Sequence, residues 1–164
     1  INAAVVGLGT WGKTMVESLA SGSDLMRFTT LQTRTVTPDD AGLGWAIARS
    51  KPDFVGKRSL ARATMHAPDR KQLVGLLTVD PKVVLEEGAQ IVATPGQSAP
   101  MKMIGHVTSS YHSAVLGRSI ALAVVRGGRA RMGETLYVPM PAGEIAVQVT
   151  GTVFYDPEGT RLNG

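Results

Sequence analysis

Residues 103–125 read MIGHVTSSYHSAVLGRSIALAVV. The stretch holds two runs of β-type apolar residues, 103–107 and 120–125, separated by Ser, Thr, Tyr, His and Gly. This order predicts a strand, a polar loop and a returning strand. Because binding residues concentrate on loops that a rigid scaffold positions, we expect the polar connection to be the working surface.

Further apolar segments, each bounded by Gly, Pro or acidic turn signals, run through the second half of the chain. The predicted strands cover residues 72–79, 90–93, 103–107, 118–125, 134–138 and 145–154. Several short strands separated by turns favour an antiparallel barrel or sandwich over a parallel sheet. We therefore predict an antiparallel β-barrel over residues 37–164.

The residues before these strands carry two further local predictions. Residues 42–47 predict a short strand. Residues 56–63 have helical spacing, with a basic face and with Val55, Leu60 and Ala63 directed inward. The basic face is interpreted as solvated rather than as a ligand surface.

The opening of the chain has a different pattern. An apolar run at residues 3–6 leads into Gly7, Gly9 and Gly12, spaced as GxGxxG, and an amphipathic segment follows. Strand, glycine turn and helix in this order are typical of a dinucleotide-binding βαβ unit. Residues 26–33 predict its second parallel strand, but Gln32 stands where an acidic residue would bind a ribose hydroxyl.

Arg34 follows Gln32 and is compatible with a 2′-phosphate, although a solvated arginine is the commoner meaning. We expect NAD(P) to bind weakly or not at all. The predicted fold class is α+β: a short βαβ-like Rossmann fragment at residues 1–35, followed by the barrel domain at residues 36–164.

Composition limits the classes of function. The chain has 164 residues, 43% of them hydrophobic, which suffices for one domain with a core, or for one domain plus a fragment. It has no Cys, and His66, His106 and His112 lack metal-ligand spacing, so we expect no metal site. The formal charge of +4 comes from scattered Lys and Arg, which favours a phosphate-bearing or polycarboxylate small molecule over nucleic acid.

The same sequence contains no apolar run approaching the ~20 residues of a membrane helix. It also shows no basic region ahead of an apolar signal segment. We expect a cytoplasmic protein without membrane contact. Because the chain begins with Ile1, we expect it to be a piece of a longer polypeptide.

Two resemblances add to this interpretation. The text AAVVGLGTWGKTMVESL at residues 3–19 resembles the opening βαβ of the glucose-fructose oxidoreductase-like dehydrogenases, and this likeness stops near Thr35. From there the chain resembles the C-terminal part of the sarcosine oxidase α subunit and, more widely, the aminomethyltransferase family that includes the glycine-cleavage T-protein. The matching texts are TVTPDDAGLGWAIARSKPDFVGKRSL, RKQLVGLLT, EEGAQIV, IGHVTSSYHSAVLGRSIALAVV, GETLYVPM and VTGTVFYDPEGTRLNG.

The second resemblance implies a barrel that forms one wall of a tetrahydrofolate site in an enzyme that passes a one-carbon unit to the folate. The resemblance to sarcosine oxidase further implies that sarcosine is oxidised at a flavin in another subunit of the enzyme. In the family, the catalytic Asp lies in an earlier domain, and residues 1–35 do not resemble the sequence that carries it. We therefore assign no catalytic residue and expect the isolated chain to be inactive. Other domains or subunits of such a complex are the expected partners, and self-association of the isolated chain is a further expectation.

Five residues are candidates for folate contact under this resemblance. Trp45 is suited to stacking on a flat heterocycle, with a core aromatic as the alternative. Lys57 and Arg118 are suited to folate carboxylates, with ordinary surface charge as the alternative. Tyr111 and His112 are suited to hydrogen bonding at the barrel mouth, with a structural loop as the alternative.

Other interpretations of the whole chain stay open. One is an NAD(P)-binding oxidoreductase fragment, supported only by the glycine turn, and another is an inactive chimera joined near Thr35. A hydrolase is rejected because Ser109 and Ser110 have no Ser-His-Asp context.

Overall fold

Strands of alternating burial close the second half of the chain into a barrel. The computed structural model describes residues 2–6, 27–32 and 36–163. The strands are β1 Asn2–Val6, β2 Arg27–Gln32, β3 Lys71–Thr78, β4 Gln90–Val92, β5 Met103–Ser113, β6 Arg118–Arg126, β7 Thr135–Met140 and β8 Gly143–Thr150. The barrel has the order β3-β6-β5-β4-β7-β8 and closes from β8 to β3, with every pair antiparallel. The predicted antiparallel barrel is confirmed.

Short helices supply the rest of the described regular structure. They are α1 Lys57–Leu60 and the 3₁₀ helices Gly44–Ala46, Ala63–Met65, Gly128–Arg131 and Thr160–Asn163. No helix among the described residues is long and apolar enough to cross a membrane.

The chain divides into two compact units, Ile1–Thr37 and Pro38–Gly164. In the first unit, β1 pairs in parallel with β2, as the predicted strand pair requires. The glycine turn and the helix predicted between these strands lie outside the described residues.

The barrel lumen is filled by side chains. In β6, Ser119, Ala121, Ala123 and Val125 are buried, while the residues between them are half-buried on the outer face. This period of two is the pattern of a strand with one face toward a core. The strands β3, β4 and β7 contribute Leu76, Ile91 and Leu136, each fully buried. The lumen is therefore the hydrophobic core of the domain.

The stretch at residues 103–125 forms a longer hairpin than predicted. β5 does not end at Val107 but continues to Ser113, because β6 pairs with it from Ser109 to Ser113 after an irregularity near Val107. The polar connection that we expected to be a loop is thus mostly strand, and the turn lies at residues 114–117. Hydrogen bonding to β6 outweighs the low β propensity of the Ser residues.

Two local predictions before the barrel are wrong. Residues 42–47 form a turn and a 3₁₀ helix instead of a strand, because Gly42 is left-handed at φ 77° and Leu43 N donates to Pro38 O. The helix predicted over residues 56–63 is reduced to the four residues of α1, because Arg62 has an extended backbone, with φ -66° and ψ 140°, and cannot continue the helix. Val55 and Ala63, expected to point inward, are exposed.

Candidate functional site

A cavity of about 380 Å³ lies where the chain enters β3. Its lining combines charged and apolar side chains. The lining residues are Asp39, Asp40, Arg49, Met65, His66, Ala67, Pro68, Arg70, Gln72 and Arg129. They come from the turn after Pro38, from the residues that follow the 3₁₀ helix Gly44–Ala46, from the residues just before β3, from β3 itself and from the β6–β7 connection.

The carboxylate of Asp40 anchors one side of this cavity. Arg70 Nε donates to both carboxylate oxygens of Asp40, at 2.9 and 3.1 Å, and Arg70 Nη2 also donates to Oδ2. The Asp40 side chain is 6% exposed and that of Arg70 is 19% exposed. Hydrogen bonding to Asp40 is the main cause that raises the pKa of Arg70, against the lowering effect of burial. The ion pair thus holds Asp40 of the turn against Arg70, the residue before β3, although the two are thirty positions apart in the sequence.

Backbone contacts reinforce this anchor. Leu73 N donates to Asp40 O at 2.8 Å, so the turn adds to the edge of β3 where β8 has not yet begun to pair. Arg70 Nη1 donates to Thr64 O at 3.2 Å. The wall near Asp40 is therefore fixed in position before any ligand binds.

The second ion pair of the lining is more exposed. Arg49 Nη2 donates to both carboxylate oxygens of Asp39, at 2.9 and 3.0 Å, with the two side chains 59% and 34% exposed. Gln72 Oε1 accepts from Arg129 N at 2.9 Å, which places the exposed Arg129 at the rim. Three guanidinium groups thus face two carboxylates, and this balance suits a small anion better than a cation.

Two of the five candidate folate residues lie in the segment before the barrel. Trp45 is 84% exposed in the first 3₁₀ helix. Lys57 Nζ donates to the carbonyl oxygens of Lys51 and Pro52 and lies 5.9 Å from the ring centroid of Phe54. Lys57 therefore closes a local loop. Neither residue lines the cavity.

The other three candidates are brought together at one end of the β5–β6 hairpin. Tyr111 pairs with Ile120 and His112 with Ser119, one residue from Arg118. The ring of Tyr111 is exposed and its hydroxyl lies 3.4 Å from Glu87 Oε1. Arg118 Nη2 donates to Thr78 O at 2.8 Å, which ties the guanidinium to β3. Tyr111 and Arg118 thus present a ring and a cation from neighbouring strands.

His106 is a half-buried residue of β5 opposite Val124. Burial is the main cause that lowers the pKa of its imidazole below the usual value, and the nearby charge of Lys71 adds to the effect.

The sequence interpretation missed the Asp40–Arg70 pair and the cavity beside it. Residues 37–40 carry only the signal of a turn or of a helix start, and Arg70 is only a charge before a predicted strand. An ion pair across thirty positions has no local sequence signal. A buried Asp next to a strand start becomes recognisable only once the tertiary fold is known.

The closed barrel, the polar hairpin end and the anchored turn together define a barrel domain of a recognised class. Residues 71–156, just over half of the chain, match the glycine cleavage T-protein C-terminal barrel domain, and the chain belongs to that family.

Curated relatives extend the likeness beyond the barrel. The chain is 45% identical over 132 residues to the sarcosine oxidase subunit alpha of Corynebacterium sp. (strain U-96), a match that covers 79% of this chain and 14% of the relative. It is 32% identical over 124 residues to the aminomethyltransferase of Desulfitobacterium hafniense (strain DSM 10664 / DCB-2), covering 76% of this chain and 32% of that protein. The chain thus spans only a small part of the length of these relatives.

A solved structure agrees at the level of the fold. The crystal structure of glycine cleavage system aminomethyltransferase T from Bartonella henselae aligns with a TM-score of 0.58 at 23% identity. The alignment covers 73% of this chain and 32% of the crystallised one. The resemblance inferred from residues 35–164 is confirmed as membership of this barrel family.

Proposed function

We propose that the chain is the folate-side C-terminal domain of an enzyme of the sarcosine oxidase α or aminomethyltransferase type. The enzyme as a whole would demethylate sarcosine oxidatively and pass the one-carbon unit to tetrahydrofolate. The observation that carries the proposal is the 45% identity to a sarcosine oxidase subunit alpha over 132 residues, most of this chain.

The β5–β6 hairpin end is the part of the barrel best suited to folate. Tetrahydrofolate has a flat ring system and carboxylates. The exposed Tyr111 ring offers a stacking surface, and the Arg118 guanidinium offers a partner for a carboxylate. His112 is exposed at the same end of the hairpin, but it pairs with Ser119 and so lies on the opposite face of the strand from Tyr111 and Arg118. In this proposal Tyr111 and Arg118 bind and orient the folate, and the one-carbon chemistry belongs to other domains.

A hybrid enzyme tests the proposal. The C-terminal segment of the Corynebacterium subunit that matches this chain is replaced by residues 36–164, and tetrahydrofolate binding to the hybrid is titrated by calorimetry. We expect binding as tight as in the parent, and binding about tenfold weaker for Arg118→Met or Tyr111→Ala, the loss of roughly one charged contact or one stacking contact.

Lys102→Met is the matched control, because Lys102 is exposed and lies outside the β5–β6 hairpin end. It also removes one positive charge, so the charge of the hybrid falls equally in Lys102→Met and Arg118→Met. Equal affinity in all variants, with melting temperatures unchanged, would remove the hairpin end from the folate site.

A second candidate function rests on the first unit. The parallel pairing of Asn2–Val6 with Arg27–Gln32 supports a βαβ arrangement around the glycine turn. In that case an NAD(P)-binding fragment precedes the barrel. The missing acidic residue at position 32 ranks this function below the first.

A further inference from the structure

The cavity beside the Asp40–Arg70 pair has hydrogen-bond donors in excess. Arg70 occupies the carboxylate of Asp40. Arg49 occupies the carboxylate of Asp39 through Nη2 alone, so its Nε and Nη1 groups have no partner among the described residues. The guanidinium of Arg129 likewise makes no hydrogen bond or ion pair with a described residue. Two guanidinium groups of the lining therefore keep N–H donors that an anionic ligand would satisfy.

The charge of the lining points in the same direction. Three arginines and two aspartates line the cavity, which leaves one positive charge in excess. Asp69 acts on Arg70 through its charge but does not line the cavity. His66, which is exposed, adds a ring with a further N–H donor. The excess charge belongs to Arg129, since the other two lining arginines are paired with aspartates.

The connection between β6 and β7 holds Arg129 at the rim of the cavity. Gly127 has a left-handed backbone at φ 60°, and its N–H donates to the carbonyl oxygen of the residue before β3 at 2.9 Å. A Cβ atom on Gly128 would lie 2.8 Å from Val74 Cγ1 and 3.1 Å from Gln72 O, so glycine is needed for this close approach to β3. With the hydrogen bond from Arg129 N to Gln72 Oε1, these contacts fix the backbone of Arg129.

The volume and the apolar part of the lining limit the kind of ligand. Met65, Ala67 and Pro68 line the cavity together with the charged groups. Its volume of about 380 Å³ falls in the range of roughly 300–1,000 Å³ that small-molecule sites occupy, and an inorganic oxyanion would fill only part of it. The cavity therefore suits an organic anion with a short apolar body better than an inorganic ion.

This cavity lies at the other end of the barrel from the proposed folate contacts. Gln72 lies at the start of β3 and Arg129 follows the end of β6, whereas Arg118 is the first residue of β6. At about 3.3 Å per residue, the length of β6 separates the two ends by roughly 25 Å. The cavity is thus a second site, and its assignment does not depend on the proposed function.

We propose that the cavity binds a small organic oxyanion, either a carboxylate or a phosphate monoester, with a short apolar body. The guanidinium of Arg129 donates to the anionic group, and the unused N–H groups of Arg49 add to this contact. Met65 and Pro68 contact the apolar body. Because carboxylates and phosphates offer the same acceptor oxygens, the test uses a probe of each class.

Titrations followed by ¹H–¹⁵N NMR test the proposal on the 164-residue chain. The probes are phenyl phosphate, benzoate and inorganic phosphate, at an ionic strength held constant with sodium chloride because salt screens exposed charges. We expect saturable shifts of the amide signals of His66 and Arg129. The tighter of the two organic probes should bind at least about threefold more tightly than inorganic phosphate, since its ring covers apolar surface.

The two organic probes separate the ligand classes. Saturation by benzoate alone would assign the site to carboxylates, and saturation by phenyl phosphate alone would assign it to phosphate monoesters. No saturation by either probe at about 50 mM would overturn the proposal. Inorganic phosphate that binds as tightly as both organic probes would also overturn it, because the apolar lining would then have no role.

Arg129→Met measures the contribution of the guanidinium. We expect the affinity for the tighter organic probe to fall at least about tenfold. Arg129→Lys keeps the charge but loses the planar donor fork, so its loss should be intermediate. Because Arg129 is exposed, the melting temperature of both variants should stay close to that of the parent chain.

Lys82→Met is the matched control for these variants. It removes the same charge, and Lys82 is exposed and follows the far end of β3. Its affinity for the probes should equal that of the parent chain. Parent affinity in Arg129→Met, or equal weakening in Arg129→Met and Lys82→Met, would show that the cavity is not a built anion site and would overturn the proposal.

Discussion

Gly75 lies where the C-terminal tail crosses the outer face of β3. A Cβ atom at this position would overlap the carbonyl oxygen of Gly151 and lie 2.9 Å from Phe154 Cζ. Because the first of these is a backbone atom, a side-chain rotation cannot relieve the overlap. We expect Gly75→Ala to lower the free energy of unfolding by about 1–3 kcal/mol in urea titration.

Gly151→Ala is the matched control for this substitution. No heavy atom lies within 4 Å of the Cβ it would add. Its unfolding midpoint should stay close to that of the parent chain. A parent-like midpoint for Gly75→Ala would show that the tail is not packed on β3 as described.

Asp40 and Asp39 are adjacent residues with ion pairs of different burial. Asp40→Asn leaves the largely buried Arg70 guanidinium without its charged partner, and we expect a loss of about 3–5 kcal/mol in unfolding free energy. Asp39→Asn breaks a largely exposed pair with Arg49, and we expect a loss of at most about 1 kcal/mol. Equal losses measured by urea unfolding would contradict the anchoring role of Asp40.

His106 links stability to pH through its lowered pKa. Burial, aided by the charge of Lys71, disfavours the imidazolium in the folded chain, so the unfolded chain binds the proton more readily. Stability should therefore be complete above about pH 6.5 and should fall as the pH drops below that value. His106→Gln should flatten this dependence between pH 7.5 and pH 5.5 in urea midpoints, and an unchanged slope would contradict it.

At the scale of elements, strand identity was predictable and strand length was not. Each predicted barrel strand exists, since apolar residues between turn signals report one buried face. β5 extends six residues past the predicted end at Val107 because pairing with β6 recruits Ser, Tyr and His residues. That pairing depends on the tertiary structure, and the local composition of residues 108–113 does not predict it.

The segment at residues 41–66 shows the opposite error. Helical spacing over residues 56–63 predicted a helix with an inward face, but the structure has one turn of helix and a fully exposed Val55. The helical spacing assigned Val55 and Ala63 to the core of this domain, whereas both are exposed.

The glycine turn carries a prediction at the same scale, from the sequence alone, because Gly7, Gly9 and Gly12 lie outside the described residues. Without an acidic residue at position 32, any NAD(P)H bound there should be held mainly through its phosphates. We expect roughly millimolar affinity that weakens strongly with salt. Fluorescence titration with NADH and NADPH at low and high salt measures it.

Gly9→Val is the variant that decides this prediction, since the added side chain blocks close approach of the pyrophosphate. Micromolar, salt-resistant binding by the parent chain, lost in Gly9→Val, would reverse our ranking of the two functions. It would also show that the first unit is a working cofactor site.

For the whole molecule, the barrel and its family followed from the sequence, and the cavity did not. Apolar runs bounded by turn signals predict the barrel, and the resemblance over residues 35–164 indicates its family. The cavity depends on Asp40 meeting Arg70 and on Arg129 meeting Gln72, contacts that join distant parts of the chain. Such contacts are set by how strands close on each other, and no periodicity in the sequence records them.

The central claim is that this barrel serves the folate side of a sarcosine-oxidising enzyme and does no chemistry alone. The most direct measurement is the fate of the sarcosine methyl carbon, followed with ¹³C-labelled sarcosine and tetrahydrofolate. In the hybrid carrying residues 36–164, the label should appear in methylene-tetrahydrofolate, and in a subunit truncated before the barrel it should appear as free formaldehyde. The purified 164-residue chain should release neither product. Formaldehyde release by the chain alone, or the same product ratio with and without the barrel, would contradict the account.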